Sequence, residues 1–294
     1  MMSINKYQIF VKVAELGSLT RAAEALGYTQ PAVSHSISSL ESRFGFPLFC
    51  RSRDACTLTE NGAQLLDACR QILRSEAEIE ETVHALNGML TGSIRIGSVS
   101  SMLTEFVPRV VYHFSRAYPQ IRITLNELTF QEIPSALGAG SIDVGFTSDR
   151  LPEGSKLRFT PLFEDPVCLI LPPGHPFLAY ERIPARLLNG RDFIMPSPGY
   201  DDIYRAITDK VDIRPNVKFN VGSDVAAVGM VANRLGLSLL SRQQARFLGG
   251  NVVCRDFQED FHRTLGVATR AARQAAPALK VFLQAVLRQQ QEWK

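Results

Sequence analysis

Short hydrogen-bonding side chains recur near the N-terminus, on one side of a segment whose apolar residues have helical spacing. They belong to Gln30, Ser34, His35, Ser38 and Ser39. A glutamine can pair with adenine through two hydrogen bonds, and a serine can contact a base or a phosphate. A helix that enters the major groove of DNA presents such groups at its N-terminal end. Because a solvated helix surface has a similar composition, the neighbouring elements must decide between the two interpretations.

A second set of candidate residues lies at the ends of predicted strands in the C-terminal two thirds of the chain. It consists of Ser98, Ser100, Ser101, Phe130, Thr147, Pro196, Ser197 and Tyr200. Hydroxyl groups and the N–H groups of a helix N-terminus bind anions, which favours a small polar metabolite such as a carboxylate. Asp201, Asp202 and Asp224 lie nearby in the chain and would suit a zwitterion or a neutral compound. Helix capping by these serines is the alternative.

Patterns typical of catalysis or metal binding are missing from the sequence. No serine lies in a G-x-S-x-G turn, and neither a P-loop nor a G-x-G-x-x-G run is present. The cysteines and histidines are scattered, without C-x-x-C or H-E-x-x-H spacing. We therefore predict no enzymatic activity, no cofactor, no metal site and no disulfide framework, with the cysteines kept reduced as packing residues. These cysteines are Cys50, Cys56, Cys69, Cys168 and Cys254.

Size and composition indicate a globular protein of about two domains. The chain has 294 residues, of which 45% are hydrophobic and 21% are charged, with a formal net charge of +3. Such a charge alone does not predict nucleic-acid binding, so the case for it depends on local pattern. No apolar run approaches the roughly 18–20 residues of a membrane span, and the N-terminus has no signal-peptide pattern. We expect a cytoplasmic protein without a membrane partner.

The elements around the first polar face form a helix-turn-helix pattern. Ser18 is placed to cap one helix and Thr29 the next, with Pro31 in the first turn of the second helix. Two short extended runs follow, at 46–49 and 56–58, and predict a hairpin. This hairpin would be a wing that carries Arg51 and Arg53, which could follow phosphates or enter the minor groove.

These residues resemble the LysR-type transcriptional regulators. The resemblance rests on GSLTRAAEAL at 17–26, TQPAVSHSI at 29–37, GFPLFCR at 45–51 and LTENG at 58–62. It implies a winged helix-turn-helix DNA-binding domain at 1–58. The implied contacts to double-stranded DNA come from Ser18, Thr29, Gln30, Pro31, Ser34, His35, Ser38, Arg51 and Arg53. Ser36, Ser39 and Cys50 depart from the side chains common in relatives, which leaves open the bases that are read.

Residues 59–87 predict one long helix with a heptad seam. Its members are Leu65, Cys69, Ile72, Ile79, Val83 and Leu86, with the polar Glu76 between them. Such a helix has little core of its own to lie on, so a partner helix is favoured over packing within the chain. The resemblance implies a homodimer through this helix, commonly assembled into a tetramer. Residues 88–91 would then be a hinge.

Residues 92–294 alternate strands with helices, which predicts a mostly parallel α/β sheet. The resemblance implies a two-lobed effector-binding domain like the periplasmic binding proteins. Lobe I would hold 92–162 and 268–294, and lobe II 163–267, with strands that cross near 162–167 and 262–265. A ligand would bind between the lobes, where the second set of candidate residues lies. The fold class is thus α+β multidomain: winged helix-turn-helix, linker helix and two-lobed α/β domain.

The favoured hypothesis is a ligand-responsive bacterial transcriptional regulator that binds an inverted-repeat promoter site. A metabolite in the cleft would shift the placement of the DNA-binding pairs and their contact with RNA polymerase. A solute-binding module without DNA function is one alternative. Another is a regulator that binds DNA constitutively and senses redox state through Cys50 or Cys56 on the wing.

Overall fold

The computed structural model describes residues 2–51, 56–87, 90–196, 201–271 and 276–293. The chain divides into two compact units, Met1–Gly92 and Ser93–Lys294. The first unit includes the predicted linker helix, so this helix belongs to the same compact body as the helix-turn-helix. In the described residues, no helix is long and apolar enough to cross a membrane.

The first unit contains four helices and one hairpin in the described residues. They are α1 (Met2–Leu16), α2 (Leu19–Leu26), α3 (Gln30–Phe44), β1 (Phe49–Arg51), β2 (Cys56–Leu58) and α4 (Glu60–Leu86). The Ser18 side chain accepts a hydrogen bond from the backbone N–H of Arg21 at 3.3 Å, and Thr29 caps α3 through Ala32 at 3.4 Å. Gly27 ends α2 in the left-handed conformation, at φ 70°. The predicted caps and the tight turn between α2 and α3 are therefore present.

The core of the first unit lies between α1, α2, α3 and the start of α4. Phe10, Val33 and Ile37 are fully buried there. Leu65 packs against this core, and Cys69 is only 4% exposed within it. This corrects the expectation that the long helix has little core of its own to lie on. The first two residues of the predicted seam are used inside the unit because α4 lies along α1.

The second unit alternates strands and helices. Its elements are β3 (Gly92–Ser98), α5 (Ser100–Leu103), α6 (Phe106–Ala117), β4 (Ile121–Glu127), α7 (Glu132–Ala139), β5 (Val144–Ser148), β6 (Leu157–Leu171), β7 (Asp192–Met195), α8 (Asp201–Val211), β8 (Asn216–Asn220), α9 (Asp224–Ala232), β9 (Ser238–Ser241), α10 (Arg242–Leu248), β10 (Val253–Asp256), β11 (His262–Arg270) and α11 (Pro277–Gln291). Strand β10 and the first half of β6 were not predicted.

Two long strands join the halves of the second unit. The main sheet has the order β10-β6-β11-β5-β3-β4, with β9 also paired to β6. Strand β6 pairs with β11 along 157–166 and then with β9 and β10 along 167–171. We call the part that contains β3, β4 and β5 lobe I, and the part that contains β7 to β10 lobe II. The change of partner in β6 falls within the predicted crossing at 162–167.

The expectation of a mostly parallel sheet is wrong. Strands β3 and β5 are parallel, as are β7 and β8, but β11 is antiparallel to both β5 and β6. Strands β9 and β10 are also antiparallel to β6. Parallel pairing requires a crossover connection, usually a helix. The strands that pass between the lobes run in opposite directions, so they pair as antiparallel neighbours.

The cysteines of lobe II depart from the prediction of reduced thiols. Cys168 and Cys254 form a disulfide between neighbouring strands, with their Cα atoms 6.1 Å apart. Cys50, Cys56 and Cys69 are not part of a disulfide. The sequence offered no sign of the pair because 86 residues separate its members.

Candidate functional site

The N-terminal half of α3 presents polar side chains to solvent. Gln30, His35 and Ser38 are exposed and Ser34 is half-buried, whereas Val33 and Ile37 on the opposite side are buried. The helix thus has one face in the core and one face of hydrogen-bonding groups. Its first turn contains Pro31, which is exposed and lacks an N–H where no intrahelical partner is available. This face can contact base edges in a groove of DNA.

Two contacts fix α3 and the start of the wing in the unit. A carboxylate oxygen of Glu41 accepts hydrogen bonds from the backbone N–H groups of Leu48 at 2.9 Å and Phe49 at 3.3 Å. The ammonium group of Lys6 donates to Ser39 Oγ at 2.6 Å. Ser39, which sequence reasoning placed on the polar face, therefore connects α3 to α1.

The predicted wing is an antiparallel hairpin in which Phe49 pairs with Leu58 and Arg51 with Cys56. Its first strand begins at Phe49, three residues later than predicted. Arg51 ends this strand, and its side chain lies outside the described part of the structure. Arg53 also lies outside the described residues. The roles of both arginines stay predictions.

The second half of α4 carries an exposed apolar stripe. Ile72 is 40% exposed, Ile79 65%, Val83 48% and Leu86 82%. These four residues have the predicted seam spacing, so they lie on one side of the helix. Beside them lies a surface groove lined by Ala68, Gln71, Ile72, Ser75, Glu76, Ile79 and Glu80. The stripe can pack against another apolar helix.

In the second unit, a hydrogen bond joins the two lobes at the end of β3. The Gln244 side-chain amide in α10 of lobe II donates to Ser100 Oγ in lobe I at 3.0 Å. Gln244 is 2% exposed and Ser101 is 3% exposed. Among the described residues, neither Gln244 Oε1 nor Ser101 Oγ has a hydrogen-bond partner. Since buried polar atoms without a partner are costly, these two atoms are available for a polar ligand or for water.

The other predicted ligand residues are used differently. Ser98 is fully buried in β3, and its hydroxyl donates to the Val99 carbonyl oxygen at 3.1 Å. Thr147 is buried in β5, and Pro196 is buried directly after β7. Ser197 and Tyr200 lie outside the described residues. The helix predicted from Glu105 to Ala117 is α6, which begins at Phe106, and the four-residue helix α5 that starts at Ser100 was not predicted.

A buried ion pair lies where the two long strands pass between the lobes. The Arg263 guanidinium in β11 donates to Asp165 Oδ2 in β6, at 2.5 Å from Nη2 and 3.2 Å from Nε. The Ser241 hydroxyl donates to the other oxygen of Asp165 at 2.6 Å. The guanidinium also lies over the Phe130 ring, 5.4 Å from its centroid. These contacts connect β6, β9, β11 and the segment between β4 and α7.

A cavity of about 690 Å³ opens beside this ion pair. Its lining comes from both lobes and from the strands between them: Phe130, Gln131, Pro134, Ser148, Asp149, Arg150, Leu151, Pro152, Ile203, Arg205, His262, Arg263 and Thr264. Cavities of this size and mixed lining are typical of small-molecule sites. Phe130 is thus the predicted ligand residue that the structure places in the wall.

Sequence reasoning missed Gln244, Asp165 and Arg263. All three are buried polar residues in lobe II or in the connecting strands. Gln244 lies 144 positions from Ser100 and Arg263 lies 98 positions from Asp165. The available signal for Asp165 and Arg263 was the presence of charged residues inside the predicted crossings, at 162–167 and 262–265.

Comparison with known proteins agrees with this division into two units. Residues 4–63 match the family model described as "Bacterial regulatory helix-turn-helix protein, lysR family". Residues 87–291 match the model described as "LysR substrate binding domain". Both matches span the elements described above, the first through the wing and the second through both lobes.

Individual known proteins match this chain over nearly its whole length. The transcriptional regulator MetR of Escherichia coli K12 is 30% identical over 288 residues, covering 96% of this chain and 89% of MetR. YvbU of Bacillus subtilis 168, an uncharacterized HTH-type transcriptional regulator, is 29% identical and covers 96% and 97%. The crystal structure of full-length CbnR with its target DNA superposes with a TM-score of 0.75 at 19% identity, covering 98% of this chain and 100% of CbnR. The chain therefore belongs to the LysR family of DNA-binding transcriptional regulators with an effector-binding domain.

Proposed function

We propose that the exposed face of α3 reads base edges in the major groove of an inverted-repeat promoter site. The proposal rests on one observation: α3 is capped, and it exposes Gln30, His35 and Ser38 on the side opposite its buried apolar face. Arg51 and Arg53 of the wing would contact phosphates or the minor groove beside it. The likeness of the fold to CbnR, whose structure is titled as a complex with target DNA, supports this placement.

A homo-oligomer and RNA polymerase are the proposed protein partners. Two copies of α4 would pack through the Ile72–Leu86 stripe, since an inverted repeat requires a protein with matching twofold symmetry. Dimers would pair further into a tetramer. This role places the protein with the chromosome in the cytoplasm and assigns it no catalytic step.

The DNA proposal is tested by footprinting and binding titration on the intergenic DNA beside the gene, at two salt concentrations. Ser34→Ala with His35→Ala should weaken binding to the protected sequence by about 10- to 100-fold, as expected for lost base contacts. Binding to a random duplex should change far less. Ser42→Ala, an exposed serine nearer the end of the same helix, is the matched control. Equal losses on both duplexes would contradict direct base reading by α3.

The effector is proposed to bind between the lobes and to contact Ser100, Ser101 and Gln244, with Phe130 as a further proposed contact. An amide oxygen only accepts hydrogen bonds, so a ligand of Gln244 Oε1 must bring an N–H or O–H donor. A Ser101 hydroxyl can bind either a donor or an acceptor, including a carboxylate. The proposed class is therefore a small polar metabolite with at least one donor group.

Thermal-shift titration with amino acids and their analogues that lack the amino group tests this class. An amino acid that carries both an amino group and a carboxylate should raise the melting temperature. Its analogue without the amino group should need a concentration at least about tenfold higher for the same rise. Gln244→Ala should remove the difference, while Gln284→Ala on the exposed side of α11 should keep it. Equal responses to both compounds of a pair, or none to either, would contradict the assignment.

A further inference from the structure

The segment 241–254 carries Gln244 in α10 and ends at Cys254, which forms the disulfide with Cys168. Cys168 is fully buried in the middle of β6, where its backbone neighbours are Leu240 of β9 and Asp256 of β10. Cys254 is half-buried in β10, opposite Ile170. The disulfide thus joins β6 to β10, two strands already in register.

We propose that Cys168 and Cys254 are a reversible dithiol–disulfide site that responds to peroxide. The proposed function places this protein in the cytoplasm, where thiol-reducing systems keep cysteines reduced unless an oxidant intervenes. Aligned strands hold the Cα atoms 6.1 Å apart, within the range that a disulfide spans. The oxidised and reduced states therefore require no rearrangement of the sheet.

The different burial of the two cysteine residues sets the proposed order of the reaction. The half-buried Cys254 thiolate attacks one oxygen of hydrogen peroxide, the O–O bond breaks, and a sulfenic acid forms as water leaves after proton transfer. The buried Cys168 thiol then attacks this sulfur, and a second water leaves as the S–S bond forms. Overall, two thiols and one peroxide give one disulfide and two waters. A cellular dithiol reverses the step by exchange.

The disulfide adds a covalent link between β6 and the end of the segment 241–254, which contains α10. Leu240, next to the start of this segment, and Cys254, at its end, are both anchored on β6 when the disulfide is present. Helix α10 lies between these anchors, and its Gln244 reaches Ser100 of lobe I. In the reduced state, the backbone pairing of β10 and the ion pair between Arg242 and Asp256 hold the end of the segment. The disulfide therefore limits the motion of the helix that contacts the proposed effector site.

Peptide mapping of the full chain after peroxide or dithiothreitol treatment tests the proposal. After peroxide, we expect a cross-linked peptide with Cys168 and Cys254 and three titratable thiols, those of Cys50, Cys56 and Cys69. Dithiothreitol under native conditions should restore all five. The oxidised form should melt roughly 5 °C or more above the reduced form. Amides of 242–252 should exchange more slowly with deuterium in the oxidised form.

Cys254→Ser should abolish the cross-link, the melting shift and the difference in exchange, without placing a new group in the core. Cys50→Ser removes an exposed cysteine of the first unit and should preserve all three readouts. Five alkylated thiols after peroxide, or a cross-link that withstands dithiothreitol in the folded protein, would overturn the reversible site. Neither result depends on DNA or effector binding, so each is distinguishable from failure of the proposed function.

Discussion

His175 links a single protonation to the structure of lobe II. Its Nδ1 accepts a hydrogen bond from the backbone N–H of Phe177 at 3.1 Å and so caps the short 3₁₀ turn Pro176–Ala179. Burial of the ring lowers the pKa of His175 below its ordinary value, and the positive charges of Arg191 and Arg234 lower this pKa further. The folded protein therefore favours the neutral ring, which is the form that can accept the hydrogen bond.

A lowered histidine pKa in the folded state makes stability fall in acid. At a pH below the ordinary value of 6.5, the unfolded chain binds the proton more readily than the folded chain. This contribution is complete above the unfolded pKa and is lost as the pH falls through the folded pKa. His175→Asn keeps an acceptor but removes the titration.

Melting temperatures of the wild type and His175→Asn, measured from pH 8 to pH 5, check this prediction. The wild type should lose stability more steeply than the variant as the pH falls below the ordinary histidine value. Parallel curves would show that protonation of His175 does not contribute. The wild type and the variant contain the same carboxylates. The effect of carboxylate titration therefore cancels in the difference between their melting temperatures.

Single residues of the proposed effector site were only partly predictable from sequence. Ser100 and Ser101 could be selected because they follow a predicted strand, and the structure places Ser100 in contact with Gln244 of lobe II. Gln244 could not be selected, because its contact with Ser100 depends on the position of α10 in lobe II. A single sequence contains no information about which of many buried polar residues meet across a cleft.

At the scale of elements, one glycine sets how closely α4 approaches the wing. A Cβ atom on Gly62 would lie 2.2 Å from the carbonyl oxygen of Leu48 and 3.1 Å from the Leu58 side chain. Thr59 caps the same helix start, since its hydroxyl accepts from the Gly62 N–H at 3.0 Å and donates to the Pro47 carbonyl oxygen at 2.8 Å. Position 62 therefore has no space for a larger residue.

Gly62→Ala should lower the free energy of unfolding of the first unit by about 1–3 kcal/mol, the usual cost of overpacking. Denaturant unfolding measures this loss. The control is Gly138→Ala in α7, where a Cβ would meet no atom within 4 Å. That substitution should be neutral or stabilise by up to about 1 kcal/mol, because alanine favours a helix over glycine. Equal effects of the two substitutions would contradict the close approach.

The sequence predicted helices better than strands for identifiable physical reasons. Helices α2 and α3 have side-chain caps and a left-handed glycine between them, all of which are local features. The first half of β6 contains Pro161, and Pro166 follows at the crossing, so the usual strand signal is interrupted. Strand direction was predicted wrongly because alternation along the chain does not reveal which strands pass between lobes.

At the scale of the whole molecule, the exposed apolar stripe on α4 determines what we expect of the assembly. The seam was predicted as one continuous interface, but its first two residues pack within the first unit and four remain exposed. Exposed apolar residues at regular helical spacing favour a partner helix, because pairing removes them from water. We expect a second copy of α4 to cover Ile72, Ile79, Val83 and Leu86.

Ile79→Glu with Val83→Glu should therefore reduce the size of the assembly. Two charges per helix, brought close to those of the partner, would be both desolvated and of like sign. Light scattering of the wild type should give the mass of a dimer or tetramer, and the variant should lose at least the α4 contact. Ala77→Glu lies on another side of the same helix and should keep the wild-type mass. A wild-type monomer, or a variant that retains the wild-type mass, would contradict the pairing. An inverted repeat needs two linked copies of α3. The dissociated variant should therefore lose more affinity for the promoter site than for a random duplex.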